Sequence, residues 1–220
     1  MVRTARGNLT DLERKLNLVL GPELTLARAL GPAGGHALPR AFAMTDSARA
    51  PKPEALLAGL PAGGAVILRH PDPAELRRMA ERTVPLAHKL GAKVLVSGDT
   101  RLALVAGADG VHLSEALLAR HPALGRLRPK PGWIVTAAAH GPRALALAAA
   151  AGVDAVLLSP VLQTKSHPQA PALGAVRFTA LCLRCRLPVV ALGGIGRSDI
   201  RRLKHSGVAG IAGIGLFDRA

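Results

Sequence analysis

The stretches Ala106-Gly107-Ala108-Asp109-Gly110-Val111-His112-Leu113 (AGADGVHL) and Ala151-Gly152-Val153-Asp154-Ala155-Val156-Leu157-Leu158 (AGVDAVLL) are copies of one short pattern, and residues 206–213 (SGVAGIAG) make a third. Each copy closes a helical stretch on a glycine, Gly107, Gly152 or Gly207, and enters an apolar run two or three residues later. Glycine reaches the left-handed conformation that caps a helix, and so short a link returns the chain directly to a sheet. The pattern reads as helix, tight return, buried strand.

Outward from these copies, apolar runs recur along the chain: AFAMTD (41–46), GAVILRH (64–70), KVLVSG (93–98), GVHLS (110–114), WIVTAA (133–138), AVLLSP (155–160), PVVALGG (188–194) and GIAGIGLF (210–217). Runs without polar alternation are what strands buried on both faces look like. Between most of them lie good helix formers at helical spacing, such as DPAELRRMAERTVPLAHKL (72–90) and GPRALALAAA (141–150), with Pro73 and Pro142 near the starts, where a missing N–H is harmless. Alternating β and α elements imply a parallel sheet, and eight strands fit a closed (β/α)8 TIM barrel. The expected organisation is an N-terminal helical extension over residues 1–39, packed on a single barrel domain over 40–220. Within the extension, Leu12, Leu16, Val19 and Leu20 form an apolar stripe, and GPAGGHALP (31–39) reads as a linker.

Composition narrows the function classes. Hydrophobic residues are 49% of the 220, but the longest apolar run, ALALAAAAGVDAVLL (144–158), is carried by Ala and broken by Gly and Asp, so no membrane span is expected. The charged start MVRTARGNLTDLERKL lacks an apolar signal core, which points to a cytoplasmic protein. The net charge of +15 raises nucleic acid as a partner, yet aromatic residues are only 2%, with no Tyr and one Trp, so stacking platforms are lacking. The basic residues are dispersed, and a solvated surface that steers small anions is the better reading. Cys182 and Cys185 form a lone C-x-x-C without a second pair, and read as packed thiols near the end of a helix.

Reactive groups of such barrels sit at the C-terminal ends of the strands. His70, His112, His140 and His167 all fall there. No metal-ligand spacing accompanies them, whereas a neutral imidazole can move a proton near neutral pH; His140, beside small residues after the fifth strand, is best placed. The glycines of ALGGIGRSDI and GIAGIGLF follow strands seven and eight, where backbone amides and a helix starting near Ser198 would receive a phosphate. Gly193, Gly194, Gly213 and Ile214 are the expected phosphate contacts. The polar run SPVLQTKSHP (159–168) after strand six reads as one wall of the barrel mouth.

In order, GADGVHL, TAAAH, DAVLLSPVLQTKSHPQAPALG, PVVALGGI and GVAGIAGIGLF resemble the thiamine phosphate synthase and TenI superfamily over roughly residues 40–217. The resemblance implies a (β/α)8 barrel binding a small phosphorylated thiazole. Synthases join it to a pyrimidine diphosphate with magnesium; TenI-like members shift a proton that aromatises the ring. Matched residue by residue, Arg69 is kept from the family's Q-x-R-x-K, while Ile67 and Pro71 replace the Gln and Lys. The family's Asn-Asp pair is Ser97-Gly98, with Asp99 displaced by one position. The acid two residues after VHLGQ is Leu117, with Glu115 nearby, and the serine of S-x-H is Ala138, with His140 retained. The resemblance thus favours tautomerisation with His140 as acid/base, and substrate contacts from Arg69, His112, Thr164 and Lys165. Magnesium enters only with synthase activity, Asp99 and Glu115 being its weak candidates. Condensation to thiamine phosphate and noncatalytic phosphometabolite binding are the alternatives. A homodimer is left open, and no nucleic acid or membrane partner is expected.

Overall fold

Each of the eight apolar runs forms a strand in the computed structural model, which describes residues 14–15, 38–47, 52–164 and 171–217. They are β1 (Ala41–Met44), β2 (Ala65–Leu68), β3 (Lys93–Ser97), β4 (Gly110–Leu113), β5 (Ile134–Ala139), β6 (Ala155–Leu158), β7 (Val189–Leu192) and β8 (Gly210–Gly213). All neighbours pair in parallel and in chain order, and β8 closes on β1 through Phe42 opposite Ala212. The connecting helices are α1 (Pro53–Gly59), α2 (Pro73–Lys89), α3 (Thr100–Val105), α4 (Glu115–Arg120), α5 (Pro142–Ala151) and α6 (Gly174–Arg184). This is the (β/α)8 TIM barrel expected from the strand count. The proposed extension lies outside the described residues, apart from residues 14–15 and 38–39. None of the described helices is long and apolar enough to cross a membrane.

Why the strands read as unbroken apolar runs follows from two separate cores. Alternate residues such as Phe42, Met44, Ile67, Leu95, Ile134, Leu157 and Val190 fill the barrel's interior. Their neighbours Val66, Val94, Val96, Val111, Val135 and Val156 face outward and pack against the helices with Leu76, Met79, Leu102 and Phe178. Side chains alternate faces along a strand, and here both faces are dry. Each large side chain so buried contributes about 1.5–3 kcal/mol.

Two of the three repeated glycines do what their positions require. Gly107, Gly152 and Gly207 have φ of 74°, 75° and 74°; the first two close α3 and α5 in the left-handed conformation, whereas Gly207 lies beyond a 3-10 turn that ends at Leu203, so no helix ends on it, contrary to expectation. Two copies carry a further device. The Asp109 Oδ2 accepts the Val94 N–H at 2.9 Å, and the Asp154 Oδ2 accepts the Val135 N–H at 2.7 Å, tying each strand to its predecessor at the N-terminal end. The Asp154 carboxylate is fully buried and paired with Arg128 at 2.9 Å. Asp109 meets Lys93 at 3.1 Å and His88 at 2.9 Å; burial pushes its carboxyl up, but the hydrogen bonds from Val94, His88 and Lys93 outweigh that and hold it below the usual range.

One expectation is corrected. The segment after β7 forms no α-helix near Ser198, only a 3-10 turn over Ile200–Leu203. Asp199 binds locally instead: its Oδ2 accepts the Gly196 N–H at 3.1 Å and its Oδ1 accepts from Arg202 at 3.2 Å. With i to i+3 bonds such as Arg202 N–H to Asp199 O, the chain turns tightly and no helical dipole is available to a ligand there.

Candidate functional site at the barrel mouth

The C-terminal strand ends form the mouth, and its floor is polar where the interior below is not. His112 on β4 pairs in register with Ser97 on one side and Thr136 on the other. Its Nδ1 lies 2.9 Å from the Thr136 hydroxyl, and the ring is 5% exposed. Burial, with the Arg69 charge adding to it, pushes the imidazole down to about 4 from 6.5. The native ring therefore stays neutral where the unfolded ring takes a proton. As pH falls from 6.5 to 4, stability held by this group is lost, by about 3 kcal/mol over a gap of about 2.5 pH units. Urea unfolding at pH 7 and pH 4 should show wild type losing about that much more than His112→Gln. Arg69 sits above, half-exposed, bonded to Asp46 at 3.3 Å, while its backbone N–H donates to the Thr45 hydroxyl at 2.7 Å and fixes the end of β2 against β1.

Opposite, the loops after β7 and β8 enclose a cavity of about 520 Å³ lined by Gln163, Thr164, Gly193, Gly194, Arg197 and Ile214, among others. Gly193 and Gly194 have φ of 95° and 70°. A Cβ on Gly194 would run into the carbonyl oxygens of Gln163 and Leu162, and one on Gly193 would lie 3.2 Å from the Thr164 methyl. The β6 and β7 loops thus touch only because both residues are glycine. Among the described residues, the N–H groups of Gly194, Ile214 and Gly215 have no hydrogen-bond acceptor. Such a set of amides suits an anion, and the Arg197 side chain adds a positive charge to the same lining. Thr164 and the expected phosphate glycines are therefore brought together, with Gly213 at the buried end of β8. Lys165 and His167 lie outside the described residues.

The side expected to hold magnesium is different. Gly98 (φ 74°) and Leu117 stand together, since a Cβ at 98 would lie 3.9 Å from Leu117 Cδ2. The two nearby acids are engaged elsewhere. Asp99 caps α3, accepting the Leu102 N–H at 2.8 Å, and Glu115 Oε2 lies 2.8 Å from His140 Nδ1. Among the described residues, no group of three or more His, Cys, Asp or Glu could hold a metal. A glycine and a leucine supply no oxygen side-chain ligand, so these residues do not fit magnesium.

Other candidates separate from the mouth's chemistry. His70 is used locally, its Nδ1 accepting the Asp72 N–H at 3.1 Å just before α2. Cys182 is buried in the outer core, away from the strand ends, and neither cysteine is part of a disulfide. Arg197 and Gln163 were not anticipated as cavity residues. A cation two positions after the GGI turn was the available signal for Arg197. The Glu115–His140 contact joins residues 25 apart, across the loops after β4 and β5, and had no sequence signal.

Comparison with known proteins agrees with this architecture. Residues 42–217 match the family described as thiamine monophosphate synthase. The thiamine-phosphate synthase of Koribacter versatilis is 32% identical over 192 residues, covering 82% of this chain and 89% of the relative. That of Alcanivorax borkumensis is 30% identical over 187 residues, 80% and 84% respectively. The solved thiamine phosphate pyrophosphorylase of Pyrococcus furiosus superposes with a TM-score of 0.64 at 24% identity, covering 80% of this chain and 85% of its own, and so shares the fold. A match over most of the barrel, with relatives aligned along nearly their whole length, shows that this chain belongs to the thiamine monophosphate synthase family.

Proposed function

We propose that this chain is an enzyme of thiamine biosynthesis that holds a thiazole phosphate by its phosphate in the β7–β8 cavity and moves a proton on it with His140. The observation that carries this reading is the asymmetry of the mouth. Free amides and Arg197 line one side, a carboxylate-paired histidine stands at its rim, and Gly98 and Leu117 occupy the positions expected to bring metal-binding acids. In the proton shift, a ligand C–H bond breaks as an N–H bond forms on the imidazole. The same proton then passes to a second ligand carbon, with no co-reactant.

A second reading is condensation with a pyrimidine diphosphate to give thiamine phosphate. The names of the two relatives above support it over the proton shift. It requires the diphosphate to be held without the expected acids. One experiment separates the two: thiamine phosphate formation with magnesium and thiazole phosphate tautomerisation are measured on the same preparation. Tautomerisation above background, lowered about a hundredfold in His140→Asn, is the expected result. Magnesium-dependent thiamine phosphate formation without tautomerisation would overturn the proton-shift reading in favour of condensation.

A further inference from the structure

We infer that Glu115 is a positioning residue that fixes His140 as the Nδ1–H tautomer and leaves Nε2 as the nitrogen that exchanges the proton. Glu115 opens α4, where Ser114 caps the helix by accepting the Leu117 N–H at 3.1 Å, so its backbone is anchored. A single carboxylate oxygen, Oε2, accepts the His140 backbone N–H at 3.2 Å and lies 2.8 Å from the ring Nδ1. The two contacts fix ring and backbone together. An ionised carboxylate can only accept, so the ring nitrogen facing it must carry the proton. Nε2 then presents a lone pair, and it has no partner among the described residues. Which nitrogen reacts is set by the bond the other one makes.

The residue type matters as much as its place. An amide at this position could face an imidazole with either its oxygen or its nitrogen. A carboxylate removes that choice. When Nε2 takes a proton from a ligand carbon, the ring becomes a cation with Glu115 already against it, and returning the proton to the ligand restores the neutral pair. Because the His140 and Glu115 side chains are 59% and 40% exposed, the pair itself adds little stability. Its effect lies in the orientation of the ring.

The inference rests on His140 as the proton carrier, and its test keeps the two claims apart. Long-range proton–nitrogen NMR spectra of the chain labelled with ¹⁵N-histidine are recorded without ligand at alkaline pH. The His140 signals are identified by their loss in His140→Asn. Wild type is expected to show the Nδ1–H form and Glu115→Ala the Nε2–H form, with the thermal midpoint unchanged. In the tautomerisation assay, Glu115→Ala should lower kcat about tenfold with KM changed less than twofold. A wild-type ring protonated on Nε2, or a tautomer or kcat unaffected by Glu115→Ala, would overturn the inference. If wild type catalyses no proton shift, the proposed function fails, and the ligand-free spectra alone decide the positioning role.

Discussion

Asp154→Ala should lower the stability of the barrel by about 3–5 kcal/mol, the usual consequence of removing one partner of a buried ion pair. Three losses coincide. The Val135 N–H loses its side-chain acceptor at 2.7 Å, Arg128 loses its carboxylate at 2.9 Å, and a void opens where a fully buried side chain stood. Arg128 still donates to the carbonyls of Gly125, Leu127 and Gly152, so its guanidinium stays in place with an uncompensated charge. At about 2–4 °C per kcal/mol for a chain of this size, the thermal midpoint should fall by roughly 10 °C. The site at the other end of the barrel should be untouched, and ligand affinity per folded molecule unchanged. Differential scanning calorimetry paired with titration of the phosphorylated ligand checks both parts.

The second large effect is expected at Gly194. In Gly194→Val, a left-handed φ of 70° is imposed on a branched residue, at about 1–2 kcal/mol or more, and the new Cβ collides with the Gln163 and Leu162 carbonyls. Both carbonyls are backbone, so the loop itself must move. Losing two amide bonds to a phosphate, each worth about 2 kcal/mol when charge-assisted, should weaken thiazole phosphate binding roughly a thousandfold. Isothermal titration is the measurement. Gly63→Val is the matched control, because Gly63 has a similar φ of 71° but nothing within 4 Å of its would-be Cβ. That variant should bear the backbone strain and keep the affinity.

How far the fold could be read from sequence depends on which interactions are local. The strands were legible because both of their faces are dry, and the returns into β4, β6 and β8 because only glycine takes φ near +75° without strain. Asp109 and Asp154 stood inside the same repeats, yet as sequence they only interrupt an apolar run. Their acceptors' roles depend on Val94 and Val135, 15 and 19 residues away, across a strand pair. The 3-10 turn at Ile200–Leu203 was missed because Asp199, read as ordinary helix sequence, bonds back to Gly196. At the site, glycine spacing pointed to the cavity after β7 and β8, whereas the Glu115–His140 contact is created only when parallel neighbours β4 and β5 bring their loops together. Glu115 alone looked like a displaced metal ligand.

Gly98 limits what this side of the mouth can accept. Its backbone is left-handed at 74°, so an aspartate introduced there would start with a penalty of about 1 kcal/mol. Nor would it find a partner, because Leu117 faces the same spot. An acidic pair at these two positions would therefore need both residues changed, the first against the preference of its backbone. This side of the mouth is therefore closed to an acidic pair by backbone conformation and by an apolar neighbour together.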